Sequence, residues 1–162
     1  MKVLAIDPGY GRCGVAILEG SSSSAVLHYS SCIETSTTKS FLERLRIVGD
    51  EIVHLIEIYQ PETIAIEELY FTNNAKTALH VAEVRGMLMY IAVSHTIPLL
   101  EYNPLRIKIA LTGHGRATKE AVTTMVHRLI KLPPKKMLDD EYDAIALGLT
   151  ALAEAKYNEV RR

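Results

Sequence analysis

Val3-Leu4-Ala5-Ile6-Asp7-Pro8-Gly9 opens the chain with a short apolar run halted by an acid and a Pro-Gly turn signal. The run reads as a strand, which leaves Asp7 at its C-terminal end, the rim where sites in α/β sheets collect. Gly14-Val15-Ala16-Ile17-Leu18 is a second apolar run and Ala25 to Ile33 a third. Gly20-Ser21-Ser22-Ser23-Ser24 between them is too short for a domain linker and suits a hairpin loop, so a three-stranded meander is predicted.

Beyond the meander, Leu42, Leu45, Val48, Ile52, Leu55 and Tyr59 recur at the spacing of an amphipathic helix from Ser40 to Tyr59, which Pro61 ends. Thr63-Ile64-Ala65-Ile66 is apolar on both alternations, as in a strand covered on both faces, and Glu67 closes it. A helix from Asn74 to Ser94 follows with two apolar stripes. Leu79, Ala82, Met89 and Val93 are read as core-facing. Val81, Val84, Leu88 and Ile91 form the second stripe, either buried within one chain or the contact face of a homodimer. Pro98 to Tyr102 reads as a strand. A helical pattern resumes at Pro104, breaks at Gly113-His114-Gly115, restarts near Thr118 and is closed by Pro133-Pro134. The last helix takes Asp139 or Asp140 as N-cap and runs through Leu152. The order β-β-β-α-β-α-β-α-α predicts an α/β layered domain with a mixed sheet, and the length fits a single domain over residues 1–162.

With 48% hydrophobic and 23% charged residues, the composition is that of a folded globular chain, not a disordered one. No apolar run reaches membrane-spanning length, and the early acid argues against a signal peptide. Cys13 and Cys32 form no CxxC, so neither a disulfide framework nor a zinc site is expected, and the cytoplasm is the expected location. The net charge of −1 is low for a nucleic-acid binder. Acids held by divalent cations would turn that balance positive, so charge excludes nothing. The six histidines are scattered without ligand spacing, and His114 between two glycines is read as a loop residue.

Four acids stand out. Asp7 and Glu67 each end a strand; Asp140 and Asp143, three apart, project from one face of a helix start. Carboxylates from separate elements are what a hard divalent cation wants. Each also has a plainer reading: an Asx turn for Asp7, a strand-end charge for Glu67, a cap for Asp140, first-turn dipole charge for Asp143.

Larger blocks favour the first reading. Leu4-Ala5-Ile6-Asp7-Pro8-Gly9 resembles the opening motif of RuvC-type Holliday junction resolvases, which have a ribonuclease H-like fold. Ala65-Ile66-Glu67-Glu68-Leu69-Tyr70, with Asn74 and Ala78-Leu79 after it, is similar to the family's second acidic block. Ala82-Glu83-Val84-Arg85-Gly86, Glu101-Tyr102, the stretch Thr112 to Lys119 and the stretch Asp139 to Leu147 resemble its later landmarks, in order over almost the whole chain. The resemblance implies a crossover junction endodeoxyribonuclease with Asp7, Glu67, Asp140 and Asp143 holding two Mg²⁺ ions, Mn²⁺ being a substitute. One ion would activate water, and the other would stabilise the leaving 3′-oxygen. It further implies Lys119 and Lys108 near the scissile phosphate, with Tyr70 stacking on a distorted base; the plainer readings are two solvated helix lysines and a half-buried core aromatic under the following helix. Arg85 and Arg116 are phosphate contacts on the resolvase reading, although surface salt bridges explain them equally well. The implied products are 5′-phosphate and 3′-hydroxyl ends. The implied partners are four-way junction DNA, a second copy of the chain, a branch-migration motor and a junction-binding protein. One departure concerns the two small residues that the family has between its last acids. Here they are Glu141 and Tyr142, which leaves Asp139 and Glu141 as competing ligands.

Two other readings carry less. An actin-like ATPase or sugar kinase needs two lobes and a second Asp-x-Gly turn, which the sequence lacks. A non-catalytic junction-binding protein of the same fold would have no use for all four acids.

Overall fold

The computed structural model describes residues 1–21, 24–68 and 75–159. Ser22, Ser23, Leu69, Tyr70, Asn74, Arg161 and Arg162 therefore lie outside the described residues. The elements are β1 (Lys2–Asp7), β2 (Arg12–Ser21), β3 (Ser24–Glu34), α1 (Phe41–Tyr59), β4 (Thr63–Glu67), α2 (Ala75–Ser94), β5 (Leu99–Tyr102), α3 (Pro104–Thr112), α4 (Lys119–Leu129) and α5 (Asp139–Glu159). The mixed five-stranded sheet has the order β3-β2-β1-β4-β5. The meander is antiparallel, while β4 and β5 run parallel to β1. This is the expected α/β architecture, with helices on both faces. Among the described residues, no helix is long and apolar enough to cross a membrane.

Alternation along the strands divides the core in two. Leu4, Ile6, Val15, Ile17, Ile64 and Ile66 pack under Val48, Ile52, Leu55 of α1 and Val84, Leu88, Ile91 of α2. Val3, Ala5, Ala16, Leu18 and Ala65 face α3, α4 and α5. Ala5, Ala16 and Ala65 among these residues are small, so α5 comes close to the sheet. A Cβ at Gly148 would lie 2.3 Å from a Leu18 methyl, and one at Gly14 only 1.9 Å from the Asp140 carbonyl oxygen.

Local signals explain the helix ends. Ser40 and Glu43 form a reciprocal capping box on α1, and Gln60 ends it in the left-handed conformation just before Pro61. Asn103 caps α3 with Pro104 in its first turn, and Gly113, at φ 75°, ends it. Thr118 caps α4.

Several expectations need correction. The interruption at Gly113 separates two helices, so the chain has one helix more than the order read from sequence. Helix α4 ends at Leu129, before Pro133-Pro134, with Ile130 as its C-cap. Neither Asp139 nor Asp140 is the N-cap of α5. Glu141 and Tyr142 donate their amides to the Leu138 carbonyl, which puts both aspartates inside the first turn, and the helix continues past Leu152 to Glu159. On α2 the second stripe takes the buried alternative, and of the first stripe Met89 packs against the core while Leu79 and Val93 do not. Val84, Leu88 and Ile91 are core residues, while Leu79 and Val93 are 61% and 76% exposed.

The Gly14 contact gives a direct test. Gly14→Ala would drive a methyl into backbone, which no rotamer change can relieve, so overpacking should cost about 1–3 kcal/mol. The expected outcome is a lower urea midpoint at unchanged slope. A midpoint equal to wild type would show that α5 is free to move off β2.

Candidate active site

Strand register brings the first two acids together. Ile6 pairs with Ile66 across the parallel β1–β4 ladder, so Asp7 and Glu67, the next residues, end adjacent strands. Both follow residues buried under α1 and α2, and alternation turns them to the α5 side. Asp7 pairs with Gly14 in the antiparallel direction, and Gly14 lies against the Asp140 backbone. The missing side chain at Gly14 thus lets the first turn of α5 descend beside Asp7. Asp143, one turn on, lies on the same face.

The lysines come from the neighbouring helices. Lys119, first residue of α4, has its Nζ 2.8 Å from an Asp143 carboxylate oxygen and 3.7 Å from one of Asp139. Lys108, half-buried on α3, joins Lys119, Glu67 and Asp143 around a cavity of about 200 Å³. Arg116 is exposed in the loop between α3 and α4.

The acids strain against their setting. Burial, followed by the charges of Glu67, Asp143 and Asp140, pushes the Asp7 carboxyl up to about 8, although Lys119 opposes the rise. Burial and then Asp143 push Glu67 up to about 7 against Lys119, Arg85 and Lys108. Burial also raises Asp143, against its hydrogen bond from Lys119. For Lys119 itself burial acts downward, but the Asp143 bond and the surrounding aspartates outweigh it and raise its pKa. Among the described residues, no three His, Cys, Asp or Glu side chains are gathered at metal-ligand spacing. The four carboxylates share one field yet stand apart, as like charges do. Their oxygens and mutual repulsion suit hard divalent cations.

Arg85 is not a surface residue. It is 8% exposed, and its guanidinium donates to the Glu67 carbonyl oxygen and to the Glu101 carboxylate. The salt bridge, the alternative reading of Arg85, is present: both arms are engaged inside the protein, where they hold the end of β4. Glu141 does not compete for the acid site either. Its side chain is 4% exposed and is paired with Lys135 at 2.6 Å. Asp139 remains 79% exposed. Sequence reasoning missed Arg12, whose guanidinium reaches within 3.9 Å of Asp140, and the structural part of Gly14. A glycine at the start of the second predicted strand, the residue that permits close backbone approach, was the available signal for Gly14; Arg12 had none.

The model of the family described as crossover junction endodeoxyribonuclease RuvC matches residues 3–151. The chain belongs to the RuvC family. It is 34% identical to the RuvC of Thermomicrobium roseum over 100% of this chain and 99% of that one. It is 38% identical to that of Brachyspira hyodysenteriae over 99% and 97%. A solved structure of T. thermophilus RuvC in complex with Holliday junction substrate superposes with a TM-score of 0.91 at 28% identity, covering 98% of this chain and 96% of that one. The fold is accordingly ribonuclease H-like, and the activity is that of a crossover junction endodeoxyribonuclease, a DNA-binding nuclease of recombination and repair.

The raised carboxyls make a prediction with a definite sign. Folded Asp7 and Glu67 hold protons more tightly than the unfolded chain does. Their contribution to stability is complete below the ordinary Asp value of 3.8 and is lost as pH rises through about 7 to 8. Asp7→Asn removes the larger of these penalties. Without metal, in EDTA, the variant should melt above wild type at pH 8 by roughly 3 °C or more, with a smaller gap at pH 5. An equal gap at both pH values would show that Asp7 ionises without strain.

Proposed function

We propose that this chain resolves Holliday junctions by nicking two like strands symmetrically, leaving 5′-phosphate and 3′-hydroxyl ends. The observation that carries this reading is the shared position of Asp7, Glu67, Asp140 and Asp143 with Lys119 on one rim of the sheet. These four acids would hold two divalent ions, Mg²⁺ with Mn²⁺ as substitute. Bound there, the ions supply an activated water and charge stabilisation at the phosphate.

The chain's own residues supply the rest. Lys119, kept protonated by the acids around it, would bind the phosphodiester and stabilise charge that develops on it. Lys108 would approach from the other side of the same cavity. Arg85 acts through Glu67, by holding its backbone. Arg116 is exposed enough to reach a phosphate outside the cut site. Tyr70, three residues beyond Glu67, would stack on a base displaced at the crossover, a contact worth about 1–3 kcal/mol. Sequence-independent phosphate contacts suit a junction whose arms carry any sequence. A branch-migration motor and a junction-binding protein remain the proposed partners, and residues 1–162 are taken as one domain.

Two like strands call for two equivalent sites, hence a two-fold homodimer. The face that supports it is not the stripe first read from sequence but its opposite. Leu79, Tyr90 and Val93 are exposed on α2, and among the described residues nothing lies within 4 Å of where a Gly86 Cβ would stand. Open space over a glycine lets a second helix approach closely.

Asp7→Asn should lower the single-turnover nicking rate on a synthetic four-way junction by a hundredfold or more, about 2.7 kcal/mol, while binding persists. Loss within tenfold would remove Asp7 from the metal site, and a wild type that binds without cutting would be a non-catalytic junction binder. Leu79→Glu with Val93→Glu should convert a dimer to a monomer in sedimentation at micromolar concentration. A wild type that sediments only as a monomer would end the dimer proposal.

A further inference from the structure

On the far side of the acid rim, toward α1 and α2, the turn 9–12 borders a cleft of about 580 Å³. Tyr10, Arg12, Thr35 and Arg44 line it, and so does Glu34. We propose that this cleft is a second phosphate subsite, which takes a backbone phosphate of the junction DNA other than the one being cut. The proposal rests on the resolvase reading above.

Arg44 is fixed in place before any ligand arrives. Its Nε donates to the Thr35 hydroxyl at 2.8 Å, and that hydroxyl donates in turn to the Tyr10 carbonyl oxygen. The guanidinium carbon lies 4.6 Å from the Tyr10 ring centroid. The ring is itself held edge-on by Phe41 and His80, at centroid distances of 5.7 and 5.2 Å. The turn approaches so closely that a Cβ at Gly11 would stand 3.0 Å from an Arg44 terminal nitrogen. Among the described residues, no carboxylate pairs with Arg44. An acidic chain has thus left a rigid, half-buried guanidinium without an anion.

Arg12 supplies the second donor group. It is 55% exposed, and its nearest carboxylate oxygens, on Glu34 and Asp140, stand 3.7 and 3.9 Å away. Both distances exceed a hydrogen bond, so its donors are not committed. Glu34 is itself 61% exposed and restrains Arg12 only loosely. Two planar guanidiniums beside one cleft match the oxygens of a phosphate, which they can hold in bidentate fashion. Placement favours DNA as the source. Arg12 touches the field of Asp140 on one side and lines the cleft on the other, so a strand with one phosphate at the acids passes Arg12 on its way into the cleft.

The test measures binding of a synthetic four-way junction to the full chain in EDTA, so that cutting plays no part, across a series of salt concentrations. Arg12→Gln and Arg44→Gln should each weaken binding by about 3- to 10-fold. Each should also reduce the slope of log K against log salt by about 1, the signature of one lost phosphate contact. Lys2→Gln, at the opposite end of β1, should change neither quantity. Arg44→Lys keeps the charge, so it should restore the slope while recovering only part of the affinity. It also stands in if Arg44→Gln folds poorly. Wild-type affinity and slope in Arg12→Gln and Arg44→Gln would overturn the subsite while wild-type cutting leaves the resolvase reading intact. A wild type that binds no junction would overturn both.

Discussion

The approach of α5 to β1 and β2 is the constraint on which the rest of the molecule depends. Ala5 and Ala16 face that helix from the strands, Gly148 faces the sheet from the helix, and Gly14 lies under its first turn. Side chains this small let the two backbones approach closely at these points, with Leu18 filling the space over Gly148. The helix therefore begins at the level of the sheet's rim and not above it. Asp140 and Asp143 reach the rim that Asp7 and Glu67 already occupy. Helices α3 and α4 pack on the same side of the sheet, so Lys108 and Lys119 take their places relative to α5. One packing distance thus sets the relation among six charged side chains from five elements.

That arrangement works against folding. Gathering acids in a half-buried rim raises Asp7 to about 8 and Glu67 to about 7, and the chain offsets only part of the repulsion. Lys119 contributes the nearest positive charge at 2.8 Å from Asp143, and the N-terminus of α5 adds the favourable end of its dipole to Asp140. Arg85 adds a buried guanidinium bonded to the Glu67 backbone and to Glu101. Local strain of this sort gathers at functional sites.

The strand ends were legible because their signals are local: an apolar run stopped by an acid fixes both the element and the place of Asp7, and the same holds for Glu67. The caps Ser40, Asn103 and Thr118 were not read from the sequence, although each is a local signal of the same kind. What else escaped sequence reading depends on residues far apart in the chain. Helix α2 is apolar on two faces, so its periodicity carries no sign, and only the sheet determines that Val84, Leu88 and Ile91 turn inward. Arg85 reads as a surface charge until β5 brings Glu101 beside it. Arg12 carries no local mark at all. The family resemblance supplied the convergence of the four acids, which spacing alone left open.

The two large residues between the last acids show how a departure from the family pattern fits the same constraint. Positions one and two residues after Asp140 point away from the face shared by Asp140 and Asp143. Glu141 turns toward β3, where Lys135 pairs with it at 2.6 Å and also donates to the Ser30 carbonyl oxygen at 2.9 Å. Tyr142 turns toward α4, its hydroxyl 3.2 Å from a His127 ring nitrogen. Each side chain therefore ties the first turn of α5 to a different neighbour, one on the sheet edge and one on the helix that carries Lys119. Small residues would leave that turn held mainly by its backbone contact at Gly14. In this chain the turn bearing two of the acids is anchored on both flanks, and the acid face stays clear.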